Sequence, residues 1–151
     1  MDAFELLKKD HEKVSGIFEK LDSTTERGVK TREELFTQLK QELDIHAQIE
    51  EQIFYPAIKE ARETHEITLE AFEEHAVIKQ LLTELEKLSK DDETWGAKLT
   101  VLKENVEHHV EEEEGEMFPS AKKVLSSEQI ETLGARMEAA KKEEKKAMAA
   151  G

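Results

Sequence analysis

The stretch His46-Ala-Gln-Ile-Glu50-Glu51-Gln-Ile-Phe54-Tyr55-Pro56 decides the fold, because the chain writes it twice. Its second form is His109-Val-Glu-Glu-Glu113-Glu114-Gly-Glu-Met-Phe118-Pro119, which keeps the histidine, glutamates four and five positions on, an aromatic at nine and a proline at ten. A further single histidine precedes each copy: His11 stands 35 residues before His46, and His75 stands 34 before His109. The chain is thus a duplicated His…His-x-x-x-Glu unit. Residues four apart lie one turn from each other on one helix face. Each His–Glu pair therefore offers an imidazole nitrogen and a carboxylate oxygen to one metal site. Two facing copies supply four imidazoles and two carboxylates, which suits a two-metal centre.

The flanking segments read as amphipathic helices. Asp2 with Glu5 caps a first helix whose stripe is Phe4, Leu7, His11, Val14, Phe18 and Leu21. A polar stretch over 22–30 ends it, and Thr31 with Glu34 reads as the next cap. The second helix places Leu35, Leu39, Leu43, His46, Glu50, Ile53 and Ala57 on one face. A kink is expected at Pro56, which lacks a backbone donor and crowds the preceding turn. A third helix over about 64–90 turns Phe72, His75, Ile78, Leu82 and Leu85 inward. The fourth, after Asp91-Asp92, does so with Leu99, Leu102, Val106, His109, Glu113 and Met117. Ser126 and Gln129 open a fifth helix whose apolar face (Ile130, Leu133, Met137) fades into a Lys-rich run over 141–146, read as a solvated or frayed extension.

Four such helices with short connections predict an all-α fold. The expected architecture is an antiparallel up-down-up-down four-helix bundle over residues 1–123, followed by a C-terminal helical extension over 124–151. At 1.5 Å rise per residue, the histidine levels on neighbouring helices agree to within about 6 Å. Every candidate ligand then falls in one slab of the bundle.

Composition narrows the function. The 151 residues suffice for one domain with a real core. A formal charge of −14 argues against nucleic acid and anionic membrane surfaces as partners, since both demand basic patches. No apolar run approaches the length of a membrane span. The absence of cysteine excludes disulfides, thiol catalysis and ordinary iron–sulfur ligation. The N-terminus lacks the basic and apolar regions of a signal peptide, so a cytoplasmic location is expected. No Ser or Cys nucleophile system is legible.

A lone histidine on an apolar face is more often a satisfied core residue than a ligand. Four at one level, beside two glutamates, change that balance, because burying the carboxylates there without a cation costs several kcal/mol. His108 competes with His109, since the run 111–114 gives either one a glutamate at +4. His109 is in phase with the apolar stripe and keeps the ten-residue spacing to proline, so it is the expected ligand. His65 falls near a turn and reads as exposed or capping. Glu51 and Glu114 read as helix-flank charges ahead of direct ligands, with a bond to a ligating histidine as the alternative. Phe54, Tyr55 and Phe118 read as packing that keeps the slab dry, and Trp95 as packing near the start of the fourth helix.

The donor set is nitrogen and oxygen only. That disfavours structural zinc and all-oxygen magnesium or calcium sites, and fits a pair of iron ions with manganese or zinc as substitutes. At these residues the sequence resembles the hemerythrin-like, or HHE cation-binding, family. The resemblance covers roughly residues 1–123 and rests on Asp10-His11-Glu12, His46-x-x-x-Glu50 with Phe54-Tyr55-Pro56, Glu74-His75, and His109-x-x-x-Glu113 with Phe118-Pro119. It implies a non-haem, oxo- or hydroxo-bridged di-iron centre held by His11, His46, Glu50, His75, His109 and Glu113, with both glutamates as bridges. Oxygen carriers of the family have a second histidine one turn before the position of His75, where this chain has Ala71. They also usually place the fourth-helix carboxylate at +5, whereas the repeat here favours +4.

The chain is therefore similar to the bacterial six-ligand subgroup, linked to oxygen or iron sensing, peroxide removal, and nitric oxide or iron-centre repair. Repair proteins carry an added cysteine-containing region that this chain lacks, which disfavours repair. The expected function is binding or sensing of O2, NO or iron at the di-iron centre. The alternative is an enzyme consuming peroxide or NO, and a structural-metal interaction protein comes third. Whether it is an enzyme is left open by the sequence.

Overall fold

The computed structural model describes residues 1–150. Helix α1 spans Ala3–Asp22, and Asp2 caps it by accepting from the Glu5 backbone N–H at 2.9 Å. Helix α2 spans Val29–Ile49 and passes directly into a π-helical turn, Glu50–Phe54, and the short α3, Tyr55–Ile58. Helix α4 covers His65–Lys87. Helix α5 covers Glu93–Glu112, capped by the Asp92 side chain on the Thr94 N–H at 2.8 Å. A second π turn, Glu113–Met117, leads into α6, Phe118–Val124, and α7 runs from Ser127 to Ala150. The expected all-α bundle is the fold. No helix among the described residues is long and apolar enough to cross a membrane.

Two apolar clusters fill the bundle, one on each side of the histidine slab. Val14, Phe18, Leu39, Leu82, Leu85, Trp95, Leu99 and Leu102 belong to the end that holds the α1–α2 and α4–α5 connections. Phe4, Leu7, Ile49, Phe54, Tyr55, Ile58, Phe118, Leu133 and Met137 belong to the other. Trp95 is packing, as expected: it is fully buried, donates its indole N–H to the Leu85 carbonyl at 3.1 Å and lies under the Arg32 guanidinium at 5.0 Å.

Three expectations need correction. Helix α2 begins at Val29, before Thr31, because the turn over 25–28 already closes through the Gly28 N–H to the Thr25 carbonyl. Thr31 and Glu34 are therefore inside the first turns and cap nothing. The expected stripe Ile53–Ala57 is also out of phase. A π turn inserts one residue into the helix and rotates the residues beyond it by about a quarter turn, so Phe54 and Ile58 are buried and Ala57 is exposed. Each proline then falls at the start of a new α segment, where its missing N–H costs least. Finally, the lysine run over 141–146 does not fray. It continues α7 along α1 and α2, with Lys141 paired to Asp10, Lys145 to Glu42 at 3.5 Å, and Gln48 donating to Glu144 at 2.9 Å.

Candidate metal centre

The structure brings all six sequence-selected residues together. His11 comes from α1, His46 and Glu50 from α2 and its π turn, His75 from α4, and His109 and Glu113 from α5 and its π turn. All six are buried, and both glutamate side chains are fully so. Donor atoms of His11, His46, Glu50 and Glu113 lie within 4.8 Å of one another. So do those of Glu50, His75, His109 and Glu113, so the two glutamates belong to both groups. The imidazoles form two edge-on pairs, His11 with His46 at 4.9 Å and His75 with His109 at 4.8 Å between ring centroids.

Each imidazole is held from behind by a carboxylate on its Nδ1. His11 meets Glu114 at 2.6 Å, His46 meets Asp10 at 2.9 Å, His75 meets Glu51 at 2.7 Å and His109 meets Glu74 at 2.6 Å. An ionised carboxylate can only accept, so each Nδ1 carries a proton and each Nε2 faces the interior, the nitrogen left to bind a cation. Glu51 and Glu114 thus settle as supports for His75 and His11. The supporting roles of Asp10 and Glu74 were not read from the sequence. The signal was there: each lone histidine is immediately preceded by an acidic residue, in both halves of the repeat.

The interior contacts are close but badly directed for hydrogen bonds. His11 Nε2 lies 3.0 Å from Glu113 Oε1, His46 and His75 Nε2 each 3.1 Å from Glu50 Oε1, and His109 Nε2 3.0 Å from Glu113 Oε2. Nevertheless His11 Nε2, His46 Nε2, both Glu50 oxygens and Glu113 Oε1 are buried without a hydrogen-bond partner among the described residues. Lone pairs that converge on a shared interior point, with no donor between them, are costly unless a cation sits there. The residues present fit a metal site.

The metal-free cluster answers that cost with protons. Burial works against the charged form of His46, but the nearby charges of Glu50 and Glu113 and the hydrogen bond to Asp10 outweigh it and raise its pKa to about 10. His109 is likewise pushed well above the usual histidine range: burial opposes its charge, but Glu113 and Glu50 prevail. Burial would raise Glu50, yet the His46 charge and the surrounding imidazoles hold it well below the usual carboxylate range.

One position breaks the symmetry of the repeat. The Tyr55 hydroxyl donates to Glu113 Oε2 and lies 3.3 Å from His75 Nε2 and 3.4 Å from His109 Nε2. Its counterpart Phe118 stacks on His11 at 6.3 Å with an interplanar angle of 7°. Burial and the charges of Glu113 and Glu50 push the Tyr55 pKa well up, so the hydroxyl stays protonated. A cavity of about 440 Å³ opens onto all four imidazoles between apolar walls that include Val14, Leu43, Ile78, Leu82 and Val106. His108 lies outside this arrangement, with its side chain 65% exposed and paired with Glu112 at 3.1 Å. His65 Nδ1 lies 2.8 Å from the Lys59 carbonyl, near the end of α3, the capping place expected for it.

A helical bundle enclosing a symmetric nest of four imidazoles and two carboxylates defines a cation-binding protein of the non-haem kind. The hemerythrin HHE cation-binding domain family matches residues 2–121, and the chain belongs to that family. A crystal structure of an HHE domain-containing protein from Mycobacterium kansasii, a homolog of Rv2633c, superposes with a TM-score of 0.85 at 28% identity, covering 97% of this chain and 89% of that one. Rv2633c of Mycobacterium tuberculosis is 32% identical over 92% of this chain and 84% of its own length. A protein from Nostoc named as a DNA nickase is 28% identical over 93% of this chain, which spans only 39% of that protein.

Proposed function

We propose that the protein holds two iron ions, with His11 and His46 on one, His75 and His109 on the other, and Glu50 and Glu113 shared between them. The observation that carries this reading is the set of buried, unpartnered donor atoms aimed at one interior volume. Nitrogen and oxygen donors in this ratio, without thiolate, favour iron over structural zinc. Two carboxylates in contact with both imidazole pairs supply the negative charge that a pair of cations requires. Bound there, iron would supply one-electron redox chemistry and exchangeable positions for a small ligand such as O2, NO or peroxide. The chain's own part is to fix four imidazoles by their Nδ1 carboxylates, to keep bulk water out with Phe4, Phe54 and Phe118, and to offer a hydroxyl proton at Glu113 through Tyr55.

Binding or sensing of such a ligand is the first reading. Turnover of peroxide is the second, and one observation favours it: Tyr55 places a proton donor against one half only. Protein produced with adequate iron should contain close to two irons per chain and show the near-ultraviolet charge-transfer bands of a coupled diferric pair. A reproducible ratio of one, or retention of zinc in preference under iron-rich conditions, sinks the di-iron reading. Oxygen-adduct lifetime and peroxide consumption then separate the two uses of the site. A long-lived adduct selects binding, and rapid peroxide loss selects turnover.

A further inference from the structure

The four carboxylates behind the histidines are not alike. Glu114, Glu51 and Glu74 have side chains 36%, 39% and 25% exposed, and none of them pairs with a lysine or arginine among the described residues. Asp10 is only 4% exposed at its side chain, and its second oxygen accepts from Lys141 of α7. Lys141, Asp10 and His46 thus form a chain that runs from the last helix to the interior. In the other half of the repeat, the place of Asp10 is taken by Glu74, which has Glu112 and the exposed His108 for neighbours instead. A buried carboxylate with both oxygens engaged is fixed in place, whereas one shared with solvent keeps its rotamer freedom.

We infer that Lys141 is a positioning residue: through Asp10 it locks the His46 imidazole, so that the His11/His46 half takes up metal before the His75/His109 half. This rests on the dinuclear reading above and adds that the two halves are unequal. Without the lysine, Asp10 Oδ1 would be a buried, unpartnered acceptor, and the carboxylate would turn toward water or take up a proton. Either response loosens its hold on the His46 Nδ1–H. Loss of a partner that orients a metal-ligating histidine costs about ten- to a hundredfold in affinity, and Lys141 acts one bond further out, so about tenfold is expected.

The test is a titration of the metal-free full chain with cobalt(II), monitored by its visible absorption. The natural chain should fill in two separable steps. Lys141→Met, which keeps the aliphatic stem, should weaken the first step about tenfold and leave the second in place, merging the two. Lys141→Arg should restore the first step. Lys145→Met serves as the control for helix docking, because Lys145 ties α7 to Glu42 at 3.5 Å and pairs with none of the four carboxylates behind the histidines. It should lower the melting temperature of the metal-free protein yet leave both cobalt steps unchanged. If the natural chain takes fewer than two cobalt ions, the dinuclear reading fails. If it takes two and Lys141→Met titrates like the natural chain, tightens the first step, or shifts both steps equally, only the positioning role is overturned.

Discussion

His46 is where the chemistry of single residues is most exposed to test. An unperturbed imidazole titrates near 6.5, so sequence reasoning alone places proton competition with metal in the mildly acid range. In the folded, metal-free protein the carboxylates around His46 raise its pKa to about 10. A group whose pKa is raised by folding contributes stability that is complete below its unfolded pKa and is lost as pH rises through the folded value. The metal-free protein should therefore lose melting temperature progressively between pH 7 and pH 10, while the metal-loaded protein, with no proton on His46 Nε2 to shed, holds level. A flat metal-free profile over that window would show that His46 is neutral. Metal uptake at pH 8 should also release protons, measurable in weakly buffered solution. Ala71 gives a second prediction at this scale. One turn before His75, it is the place where an oxygen carrier has another imidazole, but here it is 2% exposed and belongs to the same apolar cluster as Phe54, Tyr55 and Phe118. Ala71→His should overpack that cluster, costing about 1–3 kcal/mol in thermal unfolding. A variant of unchanged stability carrying a seventh ligand would reveal room that the packing denies.

At the scale of elements, the helices themselves were legible because apolar residues recur at three and four along them, and because Asp2, Asp92 and Ser126 announce their starts. The six inward donors were legible for a related reason, since a duplicated motif repeats its spacing. What periodicity could not foresee was the pair of π turns. Apolar phase is read by extrapolating 100° per residue, and the extra residue at 50–54 spoils the extrapolation from that point on. Ile58 replaces Ala57 at the core for this reason alone. The apolar face of α7, Leu133 and Met137, is buried as its spacing implies, but the docking of its lysine-rich second half was illegible for a different reason. Its lysines carry no apolar signal, and their partners Asp10 and Glu42 are more than a hundred residues away in sequence. One residue of α7 nevertheless fixes how close it comes. A Cβ on Gly134 would lie 2.6 Å from the Asp2 carbonyl carbon and 2.8 Å from the Ala3 nitrogen, both backbone atoms that cannot yield cheaply. Gly134→Ala should push α7 off the start of α1 and cost about 1–3 kcal/mol, which is roughly 2–12 °C in melting temperature for a chain of this size. An unchanged melting point would mean that α7 docks more loosely than the contact implies.

For the whole molecule, the duplication is complete in the donors and incomplete in what surrounds them. Beside α7, the first half presents Leu6 and Ile49 in one cluster with Leu133 and Met137, and Ile45 is buried as well. The matching positions of the second half are Glu70, His108 and Glu112, which suit solvent, and no helix among the described residues covers them. The bundle thus surrenders symmetry outside while keeping it at the centre, and stability shows the same division. The apolar clusters hold the two ends of the bundle, but the slab between them contains six buried polar side chains, and inward atoms of four of them, His11, His46, Glu50 and Glu113, lack a hydrogen-bond partner among the described residues. That slab adds little to folding until a cation compensates it. Metal that binds the folded chain and not the unfolded one contributes about 2.7 kcal/mol at a hundred times its dissociation constant, or roughly 5–10 °C for a domain of this length. Removing metal with a chelator should lower the melting temperature by that order while leaving far-ultraviolet helicity intact at 25 °C, because both apolar clusters remain. Superimposable melting curves for metal-free and metal-loaded protein would mean that water already satisfies the six donors and that the slab is not the weak layer of the bundle. Loss of helicity on chelation at 25 °C would mean the opposite extreme, a bundle whose two clusters cannot hold together unless metal joins the four helices between them.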